Sequence, residues 1–356
     1  MYSSPIIRII DANLNRLAEG LRMLEELSRM ILNDIGLTRQ LKTLRHDLIR
    51  GDLSFNMELL QSRNSTGDVG VALEVAGETK QKDLPLIAVA NSRRAQESLR
   101  VLEEMAKLPG VAIRLDSEAF KKARFELYTL EQKLVSLLLR QDKIKKISGL
   151  YVVIDTRVLN GRSHVEAARQ VINAGVRVIQ LRDKTMEKNQ LLQLARELQL
   201  LCRQNDALFI INDHLDIALA AETDGLHIGQ EDLPVEVARR LLPGDKILGC
   251  SASTVDEVAA AAAAGADYIG VGAIYPTSSK DNIGVVGLDR VRQIRQSTEL
   301  PIVAIGGINQ TNARAVIEAG ADSVCLISAV LNALDITRVV HDLVNIIEAK
   351  NENINS

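Results

Sequence analysis

Tryptophan is absent from this 356-residue chain, and aromatic residues make up only 3% of it. Its core must therefore be filled by Leu, Ile, Val and Ala, side chains that suit helices and buried parallel strands. Cysteine is scarce too. Cys202, Cys250 and Cys325 lie far apart without a C-x-x-C pair, which reads as reduced thiols and points to the cytoplasm. Neither sign of charge dominates. With a net charge of −3 and a pI near 6, nothing favours a nucleic-acid partner. No apolar stretch approaches the ~20 residues of a membrane helix, so no membrane partner is expected. The opening MYSSPIIRIIDANLNR breaks its apolar run with Arg8 and Asp11, unlike a signal peptide. What remains is an ordinary globular composition, 46% hydrophobic and 25% charged, in a chain long enough for two domains.

The two halves follow different patterns. From Gly149 onward, short β-branched runs alternate with amphipathic stretches: GLYVVID (149–155), VRVIQLRDK (176–184), LFIINDH (208–214), DGLHIG (224–229), ILGCSAS (247–253), YIGVGAIYPT (268–277), IVAIGGI (302–308) and SVCLISAV (323–330). Several intervening stretches close in Gly, the usual residue just past a helix end. Eight strand–helix units in this span predict a (β/α)8 TIM barrel rather than an open doubly wound sheet. DTRVLNGRS, after the first strand, is no dinucleotide fingerprint. The expected division is a helical domain at 1–142 and a barrel at 143–356. Residues 117–141 carry an apolar face, with Leu130, Leu134, Leu137 and Leu138, that is a candidate to pad the barrel's closed end.

The first half lacks strand alternation and contains a repeat. ANLNRLAEGLRMLEE (12–26) returns as ANSRRAQESLRVLEE (90–104), and LKTLRHDL (41–48) resembles FKKARFEL (120–127). Leu14, Leu17, Leu21 and Leu24 form a stripe at helical spacing. The recurring polar pairs Asn13/Asn91, Arg16/Arg94, Glu19/Glu97, Arg22/Arg100 and Glu26/Glu104 occupy the other side. They read as a solvated face of ion pairs or as a binding face. A mainly helical domain with internal pseudo-twofold symmetry is predicted. RNSTGDVG (63–70) is either a phosphate or Mg2+ loop or a solvent turn, and it lacks the Lys of a Walker loop.

A barrel of this kind builds its site from strand carboxyl ends. Gln180, Arg182 and Lys184, spaced by two, share one face of the second strand. Asn212 and Asp213 end the third, and Asp232 follows the fourth within GQED. Ser251 ends the fifth, and the sixth runs into Thr277, Ser278, Ser279 and Lys280. Gly306, Gly307, Ile327 and Ser328 close the last two. Three cations beside Asp213 and Asp232 suit Mg2+ with a phosphorylated substrate. The Gly306-Gly307 turn is expected to open the next helix and hold a second phosphate. Against this, Asp213 and Asp232 could be helix caps, and Thr277 and Ser279 turn residues. His227 reads as a hydrogen-bonded core histidine, and Cys250 and Cys325 as packing.

These motifs, Q-x-R-x-K, N-D, G-Q-E-D, G-x-S, Y-P-T-x-S-K, G-G-I and I-S in this order across 149–330, resemble the thiamine-phosphate synthase family. Ser279 stands where many members have Thr. The resemblance implies joining of a pyrimidine diphosphate to a thiazole phosphate, giving thiamine phosphate and pyrophosphate, after ionisation to a pyrimidine carbocation. It implies that Gln180, Arg182, Lys184, Asn212, Ser251 and Lys280 contact the pyrimidine diphosphate, with Arg182, Lys184, Ser251 and Lys280 catalytic. Asp213 and Asp232 would bind Mg2+, while Thr277, Ser278, Ser279, Gly307, Ile327 and Ser328 would bind the thiazole phosphate. The alternatives are a thiazole tautomerase-like barrel and a non-catalytic phosphate-binding barrel. Residues 1–142 resemble a helical domain fused ahead of this synthase and associated with hydroxymethylpyrimidine-phosphate kinase activity. An oligomerisation or interaction module is the rival, and a homo-oligomer is compatible with either.

Overall fold

A computed structural model describes residues 4–49, 53–63, 83–111, 114–277 and 284–348. It divides into two compact units, Met1–Leu139 and Arg140–Ser356. The first is helical: α1 (Ser4–Glu26), α2 (Ile35–Ile49), α3 (Leu53–Gln61), α4 (Leu84–Met105) and α5 (Ser117–Lys145), with a π-helical turn at Leu27–Ile31. In the second, β1 (Gly149–Asp155), α6 (His164–Asn173), β2 (Val178–Arg182), α7 (Lys188–Gln204), β3 (Leu208–Asn212), α8 (Leu215–Ala220), β4 (Gly225–Ile228) and α9 (Val235–Leu241) lead into β5 (Ile247–Ser251) and α10 (Val255–Ala263). Then come β6 (Tyr268–Gly272), α11 (Gly287–Ser297), β7 (Ile302–Ile305), α12 (Ala313–Glu318), β8 (Ser323–Leu326), α13 (Ser328–Leu331) and α14 (Ile336–Glu348). All eight strands are parallel and close in chain order, β8 pairing with β1. No helix among the described residues is long and apolar enough to cross a membrane.

Local sequence explains the barrel's punctuation. Thr254 and Glu257 form a reciprocal capping box that starts α10. Gly175, Gly265 and Gly320 follow the helix ends with φ near +100°, where a side chain would be strained. The helices bury their apolar stripes against the outer strand faces, while Tyr151, Val153, Val178, Ile210, Tyr268 and Val303 fill the interior. Three aspartates tie the floor together. Each precedes an even-numbered strand and accepts the N–H of the odd strand before it: Asp224 from Phe209 at 3.1 Å, Asp267 from Leu248 at 2.8 Å, and Asp322 from Ile302 at 2.7 Å.

The repeat recurs in three dimensions as matching contacts. Helices α1 and α4 pack tightly, a Cβ on Gly20 coming within 3.0 Å of the Asn91 carbonyl oxygen. Asn13 and Asn91 both donate back to their own helices, to the carbonyls of Ile9 and Ile87. Glu25 and Glu103 are buried, at 3% and 4% exposure. Glu25 pairs with Arg22 and Arg45, and Glu103 with Arg100 and Arg124. The second repeat segment thus supplies an equivalent arginine to each buried carboxylate.

One expectation fails here. Leu130, Leu134 and Leu138 belong to the helical core, with Leu137 packed on it, and they do not pad the barrel. Their partners are the other helical stripes of the same unit, because an apolar helical face packs on whichever apolar stripe its own unit presents. The padding comes instead from Ile144 and Ile147. Arg140, at 3.5 Å from Asp267, and Lys143, at 3.4 Å from Asp224, anchor that stretch to the clamp aspartates.

Candidate active site

The alternation of β2 buries Gln180 and Arg182 inside the barrel, at 5% and 7% exposure, while Lys184 beyond the strand end is half exposed. Register puts Asp155 of β1 directly across from Arg182, and the two form a buried ion pair. The sequence reading missed Asp155. It closes the first strand, so the rule that assembled the other strand ends would have found it. Asp183 also carries structure. Burial opposes its ionisation, but the Thr156 hydroxyl and the Thr185 and Met186 N–H groups outweigh burial and hold its carboxyl below the usual range. Those N–H bonds, at 2.7 and 2.6 Å, fix the loop that projects Lys184.

Asp213 and Asp232 come together, although β3 and β4 deliver them separately. Burial, followed by hydrogen bonding and repulsion from Asp232, pushes the Asp213 carboxyl up, and Lys184, at 3.4 Å, only partly offsets this. Asp213 has φ of +63°, held there by its N–H bond to the His227 carbonyl at 2.8 Å. Neither aspartate caps a helix. The caps of α8 and α9 are His214 and Pro234, and Asp232 closes its own turn by accepting from the Gly229 N–H at 2.7 Å. Two neighbouring carboxylates, open to solvent at Asp232, are a donor set that fits a divalent cation with substrate oxygens completing its shell. Asn212, at 9% exposure, stands beside them.

Beneath the mouth runs a line of hydrogen bonds that the sequence reading did not foresee. Gln180 Nε2 donates to Tyr151 Oη at 2.9 Å, and the Tyr151 and Tyr268 hydroxyls lie 3.1 Å apart. Tyr268 Oη is 3.1 Å from His227 Nδ1, and His227 Nε2 is 3.0 Å from Ser251 Oγ. Because Tyr151 accepts from Gln180, its proton passes to Tyr268 and the Tyr268 proton to Nδ1. This leaves Nε2–H to donate to Ser251 and frees the serine hydroxyl to donate outward. Burial raises both phenols above their ordinary pKa, which keeps the two tyrosines protonated. Glycines make room for it: a Cβ on Gly249 would strike the Tyr268 ring at 2.1 Å, and one on Gly270 would meet His227 at 2.9 Å. Of this line the sequence shows only His227, read as a hydrogen-bonded core histidine, and both its ring nitrogens are so engaged. Cys250 is buried packing, and burial pushes its thiol up to about 11.

On the far side of the mouth, Gly307 (φ +65°) presses against Pro276 and Tyr275, and Thr277 follows, half-buried. The Gly306-Gly307 turn does not open a helix, since α12 begins at Ala313. Asn309 and Asn312 occupy the intervening loop, with Asn312 donating to the Gly307 carbonyl at 3.0 Å. Ser328 does begin one, the short α13, directly after Ile327. Ser278, Ser279 and Lys280 lie outside the described residues, as does RNSTGDVG apart from Arg63.

Comparison with known proteins gives two family matches. Residues 150–330 match the family described as thiamine monophosphate synthase, and residues 8–133 match the ThiD2 family. A thiamine-phosphate synthase of Thermosynechococcus vestitus is 40% identical over 92% of this chain and 91% of its own length. One from Synechocystis is 40% identical over 95% of both. Among solved structures, a thiamine phosphate pyrophosphorylase from Pyrococcus furiosus covers 58% of this chain and 98% of its own at 38% identity, with a TM-score of 0.53.

Proposed function

Because this chain belongs to the thiamine-phosphate synthase family, with a ThiD2-family half ahead of the barrel, we propose a role for each residue at the barrel mouth. The enzyme is a transferase. It joins 4-amino-2-methyl-5-(diphosphooxymethyl)pyrimidine to 4-methyl-5-(2-phosphooxyethyl)thiazole and releases pyrophosphate. The tautomerase-like and non-catalytic alternatives give way, since the synthase relatives match over nearly the whole chain.

The reaction breaks the C–O bond between the pyrimidine methylene and the diphosphate, and the electron pair leaves with pyrophosphate. The thiazole nitrogen then supplies the pair for the new C–N bond. No proton must be removed, so the protein's task is to stabilise charge on the leaving group. Arg182, oriented by Asp155, with Lys184 and Lys280, performs it. Gln180, Asn212 and Ser251 hold the pyrimidine diphosphate, and the Tyr151–Tyr268–His227 line keeps the Ser251 hydroxyl facing the substrate. Asp213 and Asp232 hold Mg2+, which when bound neutralises diphosphate charge. Thr277, Ser278, Ser279, Gly307, Ile327 and Ser328 take the thiazole phosphate. The paired carboxylates of Asp213 and Asp232 beside Lys184 carry this reading. Pyrophosphate release from both substrates should require Mg2+, and Arg182→Ala and Lys280→Ala should each depress it by a factor on the order of 10²–10³. Ser328→Ala should mainly raise the KM for thiazole phosphate. The opposite pattern would exchange the two phosphate sites.

The helical unit, on this reading, phosphorylates hydroxymethylpyrimidine phosphate, so that its product is the barrel's substrate. ATP-dependent formation of the diphosphate by the full chain tests this. No turnover above a boiled control would leave the interaction-module reading. Three buried cysteines, none of them in a disulfide, support a cytoplasmic setting.

A further inference from the structure

The two halves of the helical unit share an ion-pair skeleton, and they differ in what surrounds it. At the repeat offset of 78, Arg93 and Gln96 stand where the first half has Asn15 and Ala18. At the offset of 79 that relates α5 to α2, Tyr128 stands where the first half has Ile49. Asn15 turns back on its own helix, donating to the Asp11 carbonyl at 2.9 Å. Arg93, in its place, is exposed, and half-buried Gln96 donates to Glu131. Arg93, Gln96 and Tyr128, with Glu97, Arg100 and Arg124, line a cleft of about 230 Å³.

Two features of that cleft are unexplained by the fold. Arg93 and Glu97 form no ion pair among the described residues, although they stand one helical turn apart. Arg124 spends its Nη atoms on Tyr128 at 3.1 Å and Glu103 at 3.0 Å, yet its Nε is buried with no hydrogen-bond partner. Its guanidinium lies over the rings of Phe125 and Tyr128, 5.0 and 6.0 Å from their centroids, which holds it in place. An orphaned buried donor and an unpaired guanidinium in one small cleft call for a compact ligand rich in acceptors. Glu97 adds an acceptor for an O–H or N–H on the same ligand.

We propose that the Arg93–Arg100–Arg124 cleft, present on the second half alone, binds the phosphate group of a small phosphorylated metabolite that also carries a hydroxyl or amino donor. This assignment does not require phosphoryl transfer by the helical unit, so it stands or falls apart from the kinase reading.

The barrel binds phosphates too, so the readout must be local. The chain has no tryptophan, which makes Phe125→Trp a single fluorophore beside Arg124. Phe125 is 55% exposed and meets Tyr128 edge to face at 5.7 Å, so the larger ring has room. Inorganic phosphate, titrated at constant ionic strength into the full-length F125W chain, should give a saturable fluorescence change. Arg93→Ala in that background should weaken it roughly tenfold or more. The mirror reporter His46→Trp, at the equivalent position of the first half, should show no saturable change. A flat F125W titration, or an equal response from H46W, overturns the proposal. Equilibrium dialysis of unlabelled chains guards against a reporter artefact. The natural protein should bind more phosphate than Arg93→Ala, and equal binding likewise overturns it.

Discussion

The barrel and the helical unit treat charge in opposite ways. Around the barrel mouth the charges are left in tension: Asp213 is crowded by Asp232, and Lys184 only partly offsets this. In the helical unit the pairs around the two repeated acidic positions occur twice. Glu25 and Glu103 are buried in matching guanidinium cradles, and Arg22–Glu26 recurs as Arg100–Glu104. Duplication satisfies charges, because a pair that works once works again at the symmetric place. Chemistry then accumulates where equivalence is absent, or where it has been broken.

The contrast can be broken most sharply at Asp213. Asp213→Asn should lower synthase turnover by a factor on the order of 10²–10³ while leaving the barrel intact, since Asn tolerates positive φ. The same change should raise the melting temperature. The Asp213 carboxyl has a folded pKa above its unfolded one, so its ionisation opposes folding, and that stability is lost as pH rises through the folded pKa. Relieving it should add roughly 1–3 °C by calorimetry. A stability loss would mean that Asp213 is structural.

Symmetry makes the next effect a paired one. Glu25→Ala and Glu103→Ala each strand one largely buried guanidinium, Arg45 or Arg124, and each should cost about 3 kcal/mol of stability by denaturant unfolding. Similar costs would confirm that the two cradles are equivalent, and a large difference would show that one half bears the fold. A smaller loss is expected within the barrel. Tyr268→Phe leaves His227 Nδ1 and the Tyr151 hydroxyl short of a partner, costing about 1–2 kcal/mol, and should raise the pyrimidine KM more than it lowers turnover. The smallest effect should follow from removing the helical unit. A chain starting at Arg140 keeps the Arg140–Asp267 and Lys143–Asp224 pairs and the Ile144–Ile147 packing, so synthase activity should survive. Loss of activity in a folded fragment would mean that the helical half contributes to the synthase site.

Much of this was legible in the sequence because the barrel writes its strands in β-branched runs and its helix ends in glycine. All eight strands begin at or within two residues of those runs. The polar residues at strand ends could be collected by rule, but their partners could not. Asp155 looked like the close of an apolar run until register set it against Arg182. Tyr151 and Tyr268 lie 117 residues apart and counted as core, and only closure of the sheet brings their hydroxyls together. The leucines of α5 misled because an apolar helical face does not name its partner. Gly306-Gly307 misled because a glycine turn resembles a helix start when the asparagines that continue the loop are overlooked.

The aspartate clamps on the floor give the barrel a grain. Asp224, Asp267 and Asp322 stitch β3 to β4, β5 to β6 and β7 to β8. The closed sheet is thereby tiled in twos, although its hydrogen-bond ladder is continuous. Cut in the connection between β4 and β5, the chain yields two fragments that keep every clamp whole, and such halves should find one another and reassemble. Cut between β5 and β6, Leu248 is left on one piece and Asp267 on the other, and each fragment carries a torn seam.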